Sequence, residues 1–152
     1  MMKMKDIIVK IETDIDDSTG EELGFVMDRL FEAGARDVRY LPVFMKKNRP
    51  AYQLQVICDE ELLPVMEDII FRETTSIGLR WQRMNRTVLE RDFAEAQTPY
   101  GPVRVKICRG DNLVRFYPEY ESVADICRLE HVPYREVYRA AVSCCEESEE
   151  RD

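Results

Sequence analysis

Strand-like and helix-like segments follow one another along the first 92 residues in an order that few folds accommodate. Apolar residues at helical spacing predict two helices, one over residues 19–33 and one starting near Asp59. Apolar residues in alternation predict four strands, over residues 6–12, 37–46, 52–56 and 79–92. The order strand, helix, strand, strand, helix, strand predicts an α+β fold of the ferredoxin-like, or split βαβ, kind. In that fold, an antiparallel sheet carries both helices on one face.

The remaining residues predict a smaller unit and a tail. Residues 93–145 contain a hairpin-like turn, TPYGPV, followed by alternating apolar residues and two short helical patterns. Residues 146–152, EESEERD, are strongly acidic and are expected to be disordered. We therefore expect a ferredoxin-like domain over 1–92, a small α/β appendage over 93–145 and a disordered tail.

Several single residues predict where these elements begin and end. Ser18 and Glu21 have the spacing of a capping box, and Gly34 is expected to end the first helix. Pro42 predicts either an edge position or a bulge for the second strand. Pro64 is tolerated only in a first helical turn, so the second helix is expected to begin late.

Composition narrows the classes of function. The net charge of −8 argues against a general nucleic-acid binder, which needs a basic face. No apolar run is long enough for a membrane span, and the amino terminus lacks a secretory pattern. The five cysteines are odd in number and form no CxxC pair, which is typical of reduced thiols. We expect a cytoplasmic protein without nucleic-acid or membrane partners.

The segment ETDIDDSTGEE carries six carboxylates in eleven residues, directly after the first strand. Helix capping and the helix dipole explain the last two acids, but leave Asp14, Asp16 and Asp17 without a local reason. These three are candidate ligands for Mg²⁺ or Mn²⁺ that also holds phosphate oxygens. A calcium-binding EF-hand is excluded because the required glycine and glutamate are missing from their positions. A solvated acidic turn is the alternative.

A basic segment, KKNRP, follows the second strand. Lys46, Lys47 and Arg49 have the chemistry that binds phosphate oxygens, although an exposed hairpin turn explains the same composition. We expect this turn to lie at the opposite end of the sheet from Asp14. Under that expectation, only a homo-oligomer would bring the two charged segments together.

The segment ETTSIGLR follows the second helix and is the third candidate. Thr74, Thr75 and Arg80 are candidates for a polar pocket wall, and a satisfied helix end is the alternative. The single histidine, His131, is expected at a surface or capping position. The single tryptophan, Trp81, is expected in the core.

These segments, in this order and at these separations, resemble the carboxyl-terminal domain of the LarC family of nickel insertion proteins. The resemblance rests on ETDIDDSTGEELGFVMDRLFEAGARDV, MKKNRP and ETTSIGLR, and more weakly on TPYGPVRVK and PEYES. It implies a CTP-dependent nickel chelatase, a lyase, that loads nickel into pyridinium-3,5-bisthiocarboxylic acid mononucleotide to form the nickel-pincer nucleotide. It also implies a ferredoxin-like, oligomeric domain.

The resemblance assigns roles to the candidates. Asp14, Asp16 and Asp17 would face a metal or the triphosphate. Lys46, Lys47 and Arg49 would neutralise phosphates, and Thr74, Thr75 and Arg80 would line the nucleotide pocket. CTP with Mg²⁺ or Mn²⁺ is the implied cofactor, and nickel the substrate ion.

The family protein has a further amino-terminal part with a histidine-rich segment, so a separate amino-terminal nickel-binding subunit is an expected partner. The alternative function is a non-catalytic, oligomeric ligand-sensing or scaffold module of the ferredoxin-like kind.

Overall fold

The computed structural model describes residues 3–149, which form two compact units. The first unit comprises Lys5–Arg86, and the second comprises the residues from Thr87 onward together with Lys3 and Met4. The first unit contains most of β1 (Lys3–Ile15), the strands β2 (Asp37–Met45) and β3 (Arg49–Cys58), and the start of β4 (Arg80–Thr98). Its helices are α1 (Gly20–Glu32) and α2 (Leu63–Glu73). The strand order β2-β3-β1-β4 and the element order confirm the ferredoxin-like fold.

One face of this sheet is covered by the helices because alternate strand residues are apolar. Val9, Ile11 and Ile15 of β1 are almost fully buried. They pack in one core with residues from α1, β2, β3 and α2, among them Leu30, Val38, Leu54, Val56, Met66 and Ile70. The opposite face carries the intervening polar residues, and the candidate site includes several of them.

The register of the strands overturns one expectation about the site. Asp14 pairs with Gln53 and Ile15 with Tyr52, while Met45 pairs with Arg49 across the β2–β3 hairpin. The end of β1 and the β2–β3 turn therefore lie at the same edge of the sheet, not at opposite ends. The reason is that α1 returns the chain, so β1 and β2 run in the same direction and end together. A single chain brings the acidic and basic segments close.

The start of α1 differs by one residue from the prediction. Thr19, not Ser18, is the N-cap, and its hydroxyl accepts a hydrogen bond from the Glu22 amide at 3.2 Å. The Glu22 carboxylate accepts in return from the Thr19 amide at 2.7 Å. The capping box is thus Thr19 with Glu22, one register later than the predicted pair Ser18 and Glu21. Gly34, at φ 98°, lies just beyond the helix end, as predicted.

The prolines lie where their chemistry allows. Pro42 lies in β2, which is the edge strand, as predicted. A 3₁₀ turn, Glu60–Leu62, precedes α2, and Pro64 occupies its first turn. The late start expected for the second helix is confirmed.

The second unit consists of the rest of β4, β5 (Gly101–Gly110), β6 (Leu113–Pro118), α3 (Tyr120–Glu130) and α4 (Tyr134–Glu149). The three strands form antiparallel ladders in the order β4-β5-β6. The predicted TPYGPV turn joins β4 to β5. A second core lies between this sheet and its helices, and includes Ala96, Val103, Val105, Val123, Val137 and Ala141. His131 is the exposed C-cap of α3 in a left-handed conformation, which agrees with the expected capping role.

Two boundaries differ from the predicted ones. The fourth strand does not end at residue 92 but continues to Thr98, because residues 90–98 pair with β5. Residues 146–149 of the expected disordered tail are helical, and Glu149 forms an ion pair with Arg109 (Nη2 to Oε2, 2.9 Å). The last three residues of that tail lie outside the described part of the chain. The division after residue 92 stays a prediction.

The five cysteines are free thiols, and Cys58, Cys108 and Cys145 are buried. Within residues 3–149, no helix combines the length and apolar character that a membrane span requires.

The position of the cap gives a direct test. We expect Thr19→Ala to lower the free energy of unfolding by about 1 kcal/mol, since the Glu22 amide loses the hydroxyl that accepts its hydrogen bond. Ser18→Ala is the matched control, and should change it by a few tenths of a kcal/mol at most. Urea unfolding followed by circular dichroism measures both. A larger loss of unfolding free energy in Ser18→Ala than in Thr19→Ala would show that Ser18 is the N-cap.

Candidate functional site

The three candidate segments meet at one edge of the first unit. Arg49, from the β2–β3 turn, donates a hydrogen bond from Nη1 to Asp16 Oδ2 at 3.2 Å. Thr75, which follows α2, donates from its hydroxyl to Asp17. Arg80, at the start of β4, donates from Nη1 to Asp14 Oδ2 at 3.3 Å. Each aspartate predicted as a candidate thus contacts one of the other two segments.

The basic turn is a tight reversal that leaves its lysines free. Lys46–Asn48 forms a single 3₁₀ turn, with Lys47 at φ 59° and Asn48 at φ 56°. This left-handed conformation is uncommon for lysine, and such residues concentrate at binding sites. Lys46 and Lys47 are exposed, and neither forms an ion pair with any residue of the described part of the chain. Their charges are available to an anion.

The hydroxyl residues after α2 have separate roles. Thr74 donates to the carbonyl of Ile70 at 2.6 Å and so satisfies the helix end, which was the alternative considered for this segment. Thr75 is exposed and contacts Asp17. Thr75 and Arg80 therefore contact the acidic segment, whereas Thr74 stabilises the helix end.

A ladder of polar side chains crosses the open face of the sheet from Asp14. The sequence analysis did not predict it. Gln53 donates to Asp14 Oδ1 at 3.0 Å, and Gln55 donates to Glu12 Oε1 at 3.1 Å. Gln55 in turn accepts from Arg39 Nε at 2.9 Å. Gln55 is only 9% exposed, so its amide is held in place by these partners. The alternation of Gln53 and Gln55 with apolar residues in β3 was the available signal.

Glu12 is the most heavily bonded carboxylate of this ladder. It forms an ion pair with Lys10 at 2.6 Å and accepts from Arg80 Nε at 3.1 Å. The hydrogen bond from Lys10, followed by the Lys10 charge and by Arg80, holds the pKa of Glu12 below its usual 4.5, although burial opposes the shift. Arg80 bridges Glu12 and Asp14 and so joins the ladder to the acidic segment.

The three aspartates do not converge on one point. Asp14 is held by Arg80 and Gln53, Asp16 by Arg49 and Asp17 by Thr75. Among the residues that the structure describes, no three His, Cys, Asp or Glu side chains are grouped to hold a metal ion. A site made of all three carboxylates is therefore not formed by the protein alone, and the metal assignment stays a prediction.

Two depressions lie on this part of the first unit. A shallow groove of about 500 Å³ is lined by Asp14, Gln53, Lys46 and the β2 residues Val43, Phe44 and Met45. A smaller recess of about 130 Å³ is lined by Lys10, Glu12, Arg80, Trp81 and Gln82. Trp81 is 46% exposed, so the prediction that it belongs to the core is wrong. Its place near the start of β4 leaves it outside the helix-covered core.

The fold and the site together define the class of protein. It is a ferredoxin-like domain in which acidic and basic segments meet at one edge of the sheet. The family model described as "Nickel insertion protein" matches residues 2–138. The chain belongs to that family.

Two curated relatives show how far the sequence similarity extends. One relative is the pyridinium-3,5-bisthiocarboxylic acid mononucleotide nickel insertion protein of Alkaliphilus metalliredigens. It is 52% identical, and the match covers 84% of this chain and 30% of the relative. The protein of that name from Lactiplantibacillus plantarum is 40% identical over 95% of this chain and 34% of its own length. The chain spans about a third of these relatives.

The solved structure is an apo form described as "LarC2, the C-terminal domain of a cyclometallase involved in the synthesis of the NPN cofactor of lactate racemase". It is 40% identical, with a TM-score of 0.89, and the match covers 94% of this chain and 99% of that one. A protein from Methanopyrus kandleri AV19, 24% identical with a TM-score of 0.71 and matched over 91% of this chain and 88% of its own, shares the fold.

The polar ladder predicts a measurable shift at Glu12. Replacing Lys10 with methionine should raise the pKa of Glu12 toward 4.5, because the first cause of its depression is removed. In the parent protein, the contribution of Glu12 to stability should be present above pH 4.5 and lost as the pH falls through its lowered pKa. A carboxyl carbon NMR titration checks both statements. An unchanged titration in Lys10→Met would show that Lys10 does not contact Glu12 in solution.

Proposed function

We propose that this chain is the CTP- and metal-binding component of a nickel insertase, which loads nickel into pyridinium-3,5-bisthiocarboxylic acid mononucleotide to make the nickel-pincer nucleotide. The observation that carries the proposal is the meeting of the three segments at one edge of the first unit, next to two exposed lysines without an anionic partner in the described residues. Membership of the nickel insertion family supports it.

The cations of the edge suit a triphosphate. Lys46 and Lys47 are mobile point charges, and Arg49 is a planar donor fork. Arg49 contacts Asp16 through one nitrogen only, so further N–H donors remain for phosphate oxygens. Thr75 and Arg80 contact Asp17 and Asp14, and they would face the nucleotide from the side of the acidic segment. The groove beside Lys46 has the size of a small-ligand site.

The carboxylates suit a metal that the nucleotide brings with it. Mg²⁺ is usually held by one or two carboxylates together with substrate phosphates, so three converging aspartates are not required. One or two of Asp14, Asp16 and Asp17 would supply the protein's oxygens, and the phosphates would supply the others. A bound Mg²⁺ or Mn²⁺ would neutralise the charge that develops on the phosphates.

Nickel is the substrate ion in this proposal, and its ligands would lie on another part of the assembly. The described residues offer no group of soft ligands. The relatives are about three times as long as this chain, which supports an amino-terminal nickel-binding part as the partner that completes the lyase reaction. Five free thiols are consistent with a cytoplasmic setting.

A homo-oligomer is part of the proposal, although the charged segments do not need one. Among residues 3–149, the edge strand β2 has no neighbour on its outer side, and Phe44 on it is 76% exposed. Unpaired strand edges are natural surfaces for pairing.

Calorimetric titration with each of the four ribonucleoside triphosphates and Mn²⁺ tests the nucleotide site. We expect selective binding of CTP and at least about a tenfold loss in Lys47→Ala, since one charge-assisted phosphate contact is removed. Arg72→Ala removes a similarly exposed cation of the same unit, one that is paired with Asp68, and is the matched control. Equal CTP affinity of Lys47→Ala and the parent protein would show that Lys47 of the basic turn does not bind the phosphates.

The sign of a second variant separates two roles for Asp16. If Asp16 binds the metal, Asp16→Ala should weaken CTP binding with Mn²⁺, and should not weaken it with EDTA. If Asp16 only restrains Arg49, the variant should strengthen CTP binding under both conditions, because Arg49 is released and a negative charge is lost. The proposal requires the first result, and the second would remove Asp16 from the metal site.

A further inference from the structure

The open face of the sheet in the second unit combines aromatic rings with cations in one register. Phe93 of β4 pairs with Lys106 of β5, which pairs with Tyr117 of β6. Directly paired residues in antiparallel strands point to the same face. The three side chains therefore form a row across the sheet, on the side opposite the buried Val103 and Val105.

Each ring of this row carries a cation. The Arg104 guanidinium lies over Phe93, 4.5 Å from the ring centroid, and Lys106 Nζ lies 5.5 Å from the centroid of Tyr117. Phe93 is 48% exposed and Tyr117 38%. Both rings are partly exposed, and a guanidinium stacked on one ring offers its outer face to another planar group.

The charge of this face contrasts with that of the whole chain, which is −8. Over the paired positions of the three strands, the face carries the cations Arg91, Arg104, Lys106 and Arg115 and the acid Glu95. Two further acids, Glu119 and Glu121, line the same depression as Lys106 and Tyr117, and Glu119 is paired with Arg104 at 3.5 Å. Arg91, Lys106 and Arg115 form no ion pair with any residue between positions 6 and 149, so these three cations of the face are unpaired.

We propose that this face binds a mononucleotide: its planar ring stacks on Phe93 and the Arg104 guanidinium, and its phosphate is held by Lys106 and Arg115. Stacking on aromatic side chains together with adjacent cations is how proteins hold bases without reading their sequence. Three strands span about 10 Å, which matches the distance across one ring and one phosphate. The inference does not rest on the nucleotide site proposed for the first unit.

NMR titration of the full ¹⁵N-labelled chain with cytidine monophosphate tests the proposal. Amide shifts should appear at residues 91–93, 104–106 and 115–117. Cytidine alone and inorganic phosphate alone should each bind more weakly than the mononucleotide, because each supplies half of the contacts. Shifts confined to residues 14–17 and 46–49, or no shifts at all, would overturn this proposal. Shifts confined to residues 91–93, 104–106 and 115–117 would support it, and the first-unit site is tested separately by CTP with Mn²⁺.

Two pairs of variants identify the contacts. Phe93→Leu and Arg115→Gln should each weaken the binding about tenfold, since base stacking and a phosphate contact are lost. Phe31→Leu removes an aromatic ring of similar exposure, 45%, from the first unit. Arg135→Gln removes an equal charge from α4 of the same unit. Equal effects from the controls and the site variants, or binding to a short oligonucleotide far tighter than to the monophosphate, would overturn the mononucleotide assignment.

Discussion

The antiparallel pairing of β1 with β3 is the constraint on which the candidate site depends. Because Asp14 is opposite Gln53 and Ile15 opposite Tyr52, the acidic segment leaves the sheet beside the β2–β3 turn. The same register buries Val9, Ile11 and Ile15 under the helices. A slip of one residue would exchange the faces of β1 and lose both features, so core packing and site assembly are one requirement.

Charge balance at this edge is achieved pairwise and not by a single centre. Each of Asp14, Asp16 and Asp17 has a partner of its own. Arg80, at the start of β4, also links two carboxylates of the neighbouring strand β1. Such pairing relieves the repulsion among the acids without a bound cation. The two lysines of the turn remain outside these pairs. The edge is thus balanced internally yet still presents positive charge, which is the property that favours an anionic ligand carrying its own metal.

The second unit uses a similar sheet for a different surface. Its helices cover one face, and the other carries stacked cations and rings where the first unit has amides and carboxylates. The two open faces therefore differ in charge and in aromatic content. We propose one ligand for each: phosphates with a metal at the edge of the first unit, and a ring with a phosphate on the face of the second.

Local periodicity determined which segments are strands and helices, because alternation and helical spacing are properties of neighbouring residues. The helix limits at Gly34 and Pro64 followed from backbone chemistry in the same way, as did the edge position of Pro42. Choosing between Ser18 and Thr19 as the cap required the helix axis, since both residues have an acid three positions later. The candidate segments were also recognisable, because charged residues stand out from apolar runs and their order resembles a known family.

Tertiary structure alone decided how those segments meet. The direction of β2 relative to β1 placed the basic turn beside the acidic one, contrary to expectation, and α2 returned Thr75 and Arg80 to the same edge. Gln53, Gln55 and Glu12 joined the site only through cross-strand register, which sequence spacing does not contain. Trp81 became accessible for the same kind of reason, since its burial depends on what packs beside it and not on its own apolar character.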